Sequence, residues 1–268
     1  MENKAVKTYK IAYIGIDLLY PALPVLASFC EIAEVVSCRT DNETEFNREV
    51  CAFAERNHIP LKIGKVCPED LERWYREGCR FAVCGGYYYK IPVSDKLPVI
   101  NIHPALLPIG RGAWPMPVTI LKGLDKSGVT LHKMTDRLDE GDILLQREIP
   151  VYPRDNHRTL LERQRQLLPE MMKRLVSDFD ALYRDAVPQE DGEYWETVEE
   201  QDFPIMPRMK PEEADLILRA FYGYECIYDT GAEKYGVLEG QAHKGEGSTD
   251  NLPLNGGFIS AKRIRRLL

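Results

Sequence analysis

The chain has 268 residues, 44% hydrophobic and 29% charged, as expected of a soluble globular protein with one large domain or one domain plus a small companion. Its net charge of −7 lacks the global positive field that would make nucleic acid the default partner. No apolar run is long enough for a membrane span, and Met1-Glu2-Asn3-Lys4 lacks the apolar core of a secretory signal, so a cytoplasmic setting is expected.

The first strand is expected over Tyr9–Ile16. Gly15 stands alone, without the Gly-x-Gly-x-x-Gly pattern of a dinucleotide site. A helix begins near Pro21, and Ile32–Cys38 reads as the second strand. Asn42 can cap the next helix, whose Phe46, Val50, Phe53 and Ala54 recur near the helical period. Leu61–Ile63 is a short strand, Pro68–Glu77 a helix stopped by Gly78, and Arg80–Cys84 a strand. This alternation predicts an α/β fold with a doubly wound, mostly parallel sheet. The seven cysteines include no Cys-x-x-Cys pair; Cys30, Cys38, Cys51 and Cys84 sit among apolar residues and read as reduced core, so no metal is expected.

The stretch from Val99 to Gly141 carries the chemistry. Val99 and Ile100 open a buried strand that ends in Asn101 and His103, which alternate onto one face. Pro104 and Pro108 then break regular structure. In an open α/β sheet, ligands bind at the C-terminal ends of the strands. An amide donor and an imidazole would lie there, and Asp139, in a polar turn before Gly141, could join them. Asp142 is the rival carboxylate. His58, His132, His157 and His243 read as packed or capping residues.

Beyond this stretch, Ala113–Lys122 is a helix, and Val129–Met134 and Ile143–Val151 form an expected hairpin. Asn156–Tyr183 reads as one long helix kinked at Pro169. Prolines and acids mark a linker over 188–210, between a core of residues 1–187 and a small C-terminal α+β part over 211–268. That part has a helix at Glu212–Phe221 and strand-like runs at Tyr224–Tyr228, Tyr235–Leu238 and Gly257–Ala261.

Asn101-x-His103-Pro-x-Leu-Leu-Pro108, then Arg111-Gly-Ala-x-Pro115, then Leu138-Asp139-x-Gly141-Asp142 resemble the formyltransferases that use 10-formyltetrahydrofolate. The likeness covers roughly residues 9 to 187, judged by motif order. It implies a Rossmann-like core, Asn101, His103 and Asp139 as catalytic residues, 10-formyltetrahydrofolate as co-substrate, and no metal. It places Gly86, Tyr87, Tyr88, Lys90, Ile91, Leu106, Asp136 and Leu138 beside the folate. The bulky Tyr87–Tyr89 run departs from the family's usual loop there. Ala105 stands where many members have serine, which removes a hydroxyl but leaves the loop's backbone groups.

Formyl transfer to an amine passes through a tetrahedral oxyanion and needs a donor and a proton shuttle near neutrality. Asn101 supplies an N–H donor, His103 a group that titrates close to physiological pH, and Asp139 a partner for the imidazole. The acceptor is expected to be a small primary amine, most plausibly on a nucleotide-linked sugar, with Arg111 on its phosphate or carboxylate. Met-tRNA is the alternative, disfavoured by charge: Arg39, Arg48 and Arg56 lie among Asp41, Glu43, Glu45, Glu49 and Glu55, and the basic Lys262, Arg263, Arg265 and Arg266 read as a solvated tail. A non-catalytic folate-binding or scaffold module is the reading from another class. Hydrolysis of the formyl group uses a similar site, but a regulatory domain usually precedes it, whereas here the first strand comes almost at once. A second copy of the chain is the remaining partner to consider.

Overall fold

A computed structural model describes residues 8–39 and 46–267; Asn42 and the acids Asp41, Glu43 and Glu45 lie outside the described residues. The strands of the main sheet are β1 (Lys10–Gly15), β2 (Glu31–Ser37), β3 (Leu61–Ile63), β4 (Cys79–Gly85) and β5 (Val99–His103), with β7 (Lys126–Lys133) and β8 (Ile143–Pro150). Between them lies the short β6 (Ile109–Arg111), outside this sheet. The order is β3-β2-β1-β4-β5-β7-β8. β1 runs parallel to β2 and β4, β2 to β3, and β4 to β5. β5 meets β7 antiparallel, which makes the sheet mostly rather than wholly parallel. Ile11, Ala12, Tyr13 and Ile14 of β1 are all fully buried, the unbroken apolar run expected of a central strand covered on both faces.

The chain divides into two compact units. The first holds the described residues up to Arg111 together with Gly128–Glu148 and Gln164–Glu193. The second holds Gly112–Ser127, Ile149–Arg163 and the residues from Tyr194 onward. Composition suggests a core over 1–187, a linker over 188–210 and a C-terminal part over 211–268; the two units interleave along the chain, which twice leaves the first unit and returns to it.

In the first unit, α1 (Ala22–Phe29) follows Pro21 and packs on α6 (Leu168–Ser177). The N-terminus of α2 (Arg48–Arg56) is closed from a distance: Asp17 accepts hydrogen bonds from the Glu49 and Val50 amides, each at 3.0 Å. α3 (Pro68–Arg76) starts on its proline, its Asp70 carboxylate accepts the Cys67 amide at 2.8 Å, and Gly78 follows its end at φ +86°. The long helix expected over Asn156–Tyr183 is three helices: α5 (His157–Arg165), most of which belongs to the second unit, then α6 and α7 (Phe179–Arg184) in the first. Pro169 lies in the first turn of α6, where its missing N–H costs nothing, so the ladder restarts there rather than bending.

In the second unit, α4 (Pro115–Leu121) packs on α8 (Pro211–Ala220). An antiparallel sheet follows in the order β10-β11-β13-β12, built from β10 (Glu225–Asp229), β11 (Lys234–Lys244), β12 (Leu252–Leu254) and β13 (Gly257–Leu267). The two-residue strand β9 (Glu193–Tyr194) precedes them in the chain. β13 runs well past the apolar stretch ending at Ala261. Its charged half pairs with β11 through Arg263↔Leu238, Arg265↔Gly236 and Arg266↔Tyr235. The segment expected to be a solvated tail is therefore strand, and its charges are spent locally. Lys262 faces Glu239, Arg263 and Arg265 face Glu225, and Arg266 faces Glu233, at 2.5–3.6 Å.

All seven cysteines are free thiols. Cys30, Cys38 and Cys84 are buried as expected, while Cys51 is only half-buried. Among the described residues no helix is long and apolar enough to cross a membrane.

Candidate active site

Asn101 and His103 close β5, and its antiparallel register on β7 sets Asn101 opposite His132 and His103 opposite Thr130. Opposed residues of an antiparallel pair project to the same face, so four polar side chains gather at one strand end. Asp139 reaches them from the loop after β7, at φ +55°, a left-handed conformation that aspartate tolerates better than most residues. Its Oδ1 accepts the Asn101 amide at 3.3 Å and lies 3.6 Å from His103 Nδ1 and 3.4 Å from His132 Nε2. The rival Asp142 is paired instead with Lys133 at 2.8 Å.

The protonation pattern follows from the partners. His103 Nε2 lies 2.7 Å from the Gly110 carbonyl, which can only accept, so Nε2 carries the hydrogen and Nδ1 presents its lone pair toward Asp139. Burial pushes the His103 imidazole below its ordinary value of 6.5; Asp139 opposes that shift and His132 adds to it. A neutral His103 at pH 7 is therefore the resting state, rather than the cation that a nearby carboxylate alone would favour. His132 Nδ1 lies 2.8 Å from the Lys133 carbonyl and by the same logic donates to it. Its Nε2 is then free to accept from the Asn101 amide nitrogen at 3.1 Å. Both directions of the Asn101 amino group are thus engaged within the site, and an oxyanion would compete for one of them.

By sequence His132 reads as a packed or capping residue; the structure buries it and also puts it in contact with Asn101 and Asp139. The signal for it is nonlocal, since only the β5–β7 register brings position 132 beside 101.

The loop after β5 is held through its backbone. Thr130 Oγ1 donates to the Ala105 carbonyl at 2.7 Å and accepts from the Leu107 amide at 3.3 Å, while Gln146 donates to the Leu107 carbonyl at 2.8 Å. A serine hydroxyl at position 105 is not needed for this. Leu107–Pro108 is a cis peptide. Gln189 donates to the Asp139 and Gly141 carbonyls and accepts from Arg111. The Arg111 guanidinium, expected to face an acceptor, is engaged by Gln189 and by the Glu190 carbonyl.

The residues placed beside folate fall into two groups. Tyr87 is committed to the protein: its hydroxyl donates to the Gly64 carbonyl and accepts the Val66 amide at 3.2 Å, and Ile91 is buried in the same core cluster. Gly86 turns the chain at φ +80°, and its carbonyl accepts the Ile16 amide at 3.1 Å. Tyr88, Lys90, Asp136 and Leu138 are exposed, and Leu106 is half-buried. Leu138, next to Asp139 in the chain, is exposed despite its size. A cavity of about 250 Å³ is lined by residues that include Pro92, Leu97, Val99, Met134 and Tyr183, and none of the expected folate residues lines it. Among the described residues no group of three or more His, Cys, Asp or Glu side chains is arranged to hold a metal ion.

Residues 89–176 match the family model described as Formyl transferase. The chain is 44% identical over 148 residues to the methionyl-tRNA formyltransferase of Ehrlichia canis (strain Jake), a match covering 53% of this chain and 49% of that protein. The chain thus spans about half the length of this curated relative. Its fold is similar to HypX from Aquifex aeolicus in complex with tetrahydrofolic acid, at TM-score 0.71 and 15% identity, over 97% of this chain and 44% of that one. It is also similar to WlaRD, a sugar 3N-formyl transferase crystallised with dTDP and 5-N-formyl-THF, at TM-score 0.65 and 17% identity, over 97% and 98% of the two chains. The segment of this chain that matches the Formyl transferase family model contains all of Asn101, His103, His132 and Asp139.

Proposed function

We propose that this chain transfers the formyl group of 10-formyltetrahydrofolate to a primary amine, with Asn101, His103 and Asp139 as the catalytic residues. The observation that carries the reading is their convergence on Asp139 Oδ1 at one strand end, with His103 buried. A neutral amine attacks the formyl carbon and an oxyanion develops on the formyl oxygen. An Asn101 N–H, drawn from Asp139 or His132, donates to that oxyanion. The amine's proton passes to His103 Nδ1, whose lone pair faces Asp139; the carboxylate then stabilises the imidazolium, which returns the proton to the folate nitrogen as it leaves. Exposed Leu138 and Tyr88 supply apolar surface for the folate ring system. The small-amine acceptor is supported by the local neutralisation of the basic strand β13, which leaves no phosphate-tracking stripe along it.

A second reading, Met-tRNA as acceptor, is favoured by the 44% identity to a methionyl-tRNA formyltransferase. The test is release of tetrahydrofolate from 10-formyltetrahydrofolate with each acceptor offered alone. Turnover with amino-sugar nucleotides and not with methionyl-tRNA supports the first reading, and the reverse supports the second. Release without any acceptor would mean hydrolysis. Tight folate binding without release would mean a non-catalytic module.

A further inference from the structure

Gln189 lies in the stretch whose composition reads as a linker, yet every hydrogen-bonding position of its amide is used inside the first unit. Nε2 donates to the Asp139 carbonyl at 2.8 Å and to the Gly141 carbonyl at 2.7 Å. Oε1 accepts from Arg111 Nε at 3.1 Å and from Nη2 at 3.0 Å. The orientation is forced: carbonyls only accept and a guanidinium only donates, so a flipped amide would oppose like groups at all four contacts. Arg111 is itself steered by a further bond from Nη2 to the Glu190 carbonyl at 3.0 Å.

The loop that Gln189 grips is one that local sequence alone would not hold. Asp139 sits at φ +55°, and a methyl group on Gly141 would fall 1.8 Å from the Lys133 carbonyl oxygen, so the loop is seated closely on the end of β7. Asp139 Oδ1 must in turn meet Asn101, His103 and His132 together. We propose that Gln189 is a positioning residue that fixes the Asp139 loop, and that Arg111 acts on the site through Gln189 by holding its amide in register. This assigns the arginine of the Arg-Gly-Ala motif to the architecture of the carboxylate rather than to an anion on the acceptor.

The proposal rests on the formyl-transfer reading for its kinetic test, and a second measurement separates the two. Gln189→Glu keeps a partner for Arg111 but turns an acceptor toward both loop carbonyls; Arg111→Gln breaks the other side alone. Each variant is expected to lower kcat, by roughly 10- to 100-fold for Gln189→Glu and less for Arg111→Gln, with the KM of both substrates unchanged. In an Asp139→Asn background neither change costs anything more, because the residue they position is already disabled. Additive losses, or an Arg111→Gln effect confined to acceptor KM, would overturn the proposal.

The second measurement is an NMR titration of the His103 imidazole, assigned by its loss in His103→Gln. The charged or titratable groups set against it are Asp139 and His132, and Asp139 raises its midpoint. A displaced carboxylate therefore lowers the midpoint, so the uncharged Gln189→Leu, which releases the loop without adding a charge of its own, should move it in the direction that Asp139→Asn does. General destabilisation leaves the midpoint of the folded fraction where it was, and an unmoved midpoint would refute the positioning role. This titration needs no turnover: if no acceptor is ever formylated while the midpoint shifts, the function fails and the positioning role stands.

Discussion

His103 and Asp139 meet at 3.6 Å with side chains 5% and 4% exposed, while Arg266 and Glu233 on the C-terminal sheet meet at 2.6 Å with side chains 68% and 36% exposed. The closer pair is the less consequential one. An exposed ion pair exchanges one set of solvated contacts for another and gains little. A buried pair has no water to fall back on, so its protonation state and its geometry are set by the protein. The difference separates charge whose state the protein sets, as the proposed chemistry requires, from charge that leaves the β13 strand without a net positive field.

The largest effects should come from the buried side of this comparison. His103→Gln and Asp139→Asn should each lower kcat by roughly 10²- to 10⁴-fold, the range for removing a proton shuttle or its partner. Asn101→Ala should lower it by roughly 10²- to 10³-fold, as for a lost oxyanion donor. Folate affinity, measured by equilibrium binding, should survive in all three; a proportional loss of binding would mean that these groups hold the ligand instead of acting on the formyl group. Gly141→Ala tests the loop rather than the charge. Its methyl group meets the Lys133 carbonyl oxygen, so thermal unfolding should show a loss of about 1–3 kcal/mol and kcat should fall with it.

The parts of this site that a sequence shows are those carried by local order. Asn101 and His103 are two apart on a strand, and Asp139 precedes a glycine in a polar loop, so all three stand out in one pass along the chain. His132 does not, because its neighbour Asn101 is 31 positions away and only antiparallel pairing joins them. Gln189 is hidden by the prolines and acids around it, which describe a linker by composition while one side chain grips a loop 50 positions earlier. The cap of α2 comes from Asp17, 32 and 33 positions before the amides it accepts. The same limit explains β13: Lys262, Arg263, Arg265 and Arg266 look like a tail until Glu225, Glu233 and Glu239 appear beside them. The mostly parallel sheet of the core, by contrast, is what alternation of strand and helix predicts, apart from the antiparallel pairing of β7 with β5 that sets His132 opposite Asn101.

Acid should separate the two regions in sequence. Burial holds the folded-state value of His103 below 6.5, so as pH falls through 6.5 the unfolded chain takes up this proton first. The stability tied to His103 is thus complete above pH 6.5 and is lost progressively below it. Glu225 is held below its ordinary 4.5 by its hydrogen bond with Arg265, so its contribution is complete above pH 4.5 and is lost as pH drops through its folded value. Thermal melts across pH should therefore lose the upper window in His103→Gln and the lower one in Glu225→Gln. If His103→Gln left the curve between neutrality and pH 5 unchanged, the buried neutral imidazole would be wrong. The acid limb of kcat should likewise lie below pH 6.5, and Asp139→Asn should push what remains of it lower still, since Asp139 is the group that raises His103.

The smallest expected change is on the exposed side. Arg266→Gln removes one partner of a 2.6 Å contact, yet unfolding free energy should move by no more than about 0.5 kcal/mol, because both groups remain hydrated when parted. Its informative readout is binding rather than stability. Removing Arg266 adds one to the net negative charge and leaves Glu233 uncompensated, so any phosphate-rich acceptor that reached this strand would bind more weakly, with a shallower salt dependence. A small amine bound at the site in the first unit would be indifferent to the change. Acceptor KM measured at low and moderate salt for Arg266→Gln thus turns a substitution that is nearly silent for folding into a direct comparison of the two acceptors, and an unchanged KM at both salt concentrations is the outcome that the pairing of β13 with its glutamates predicts.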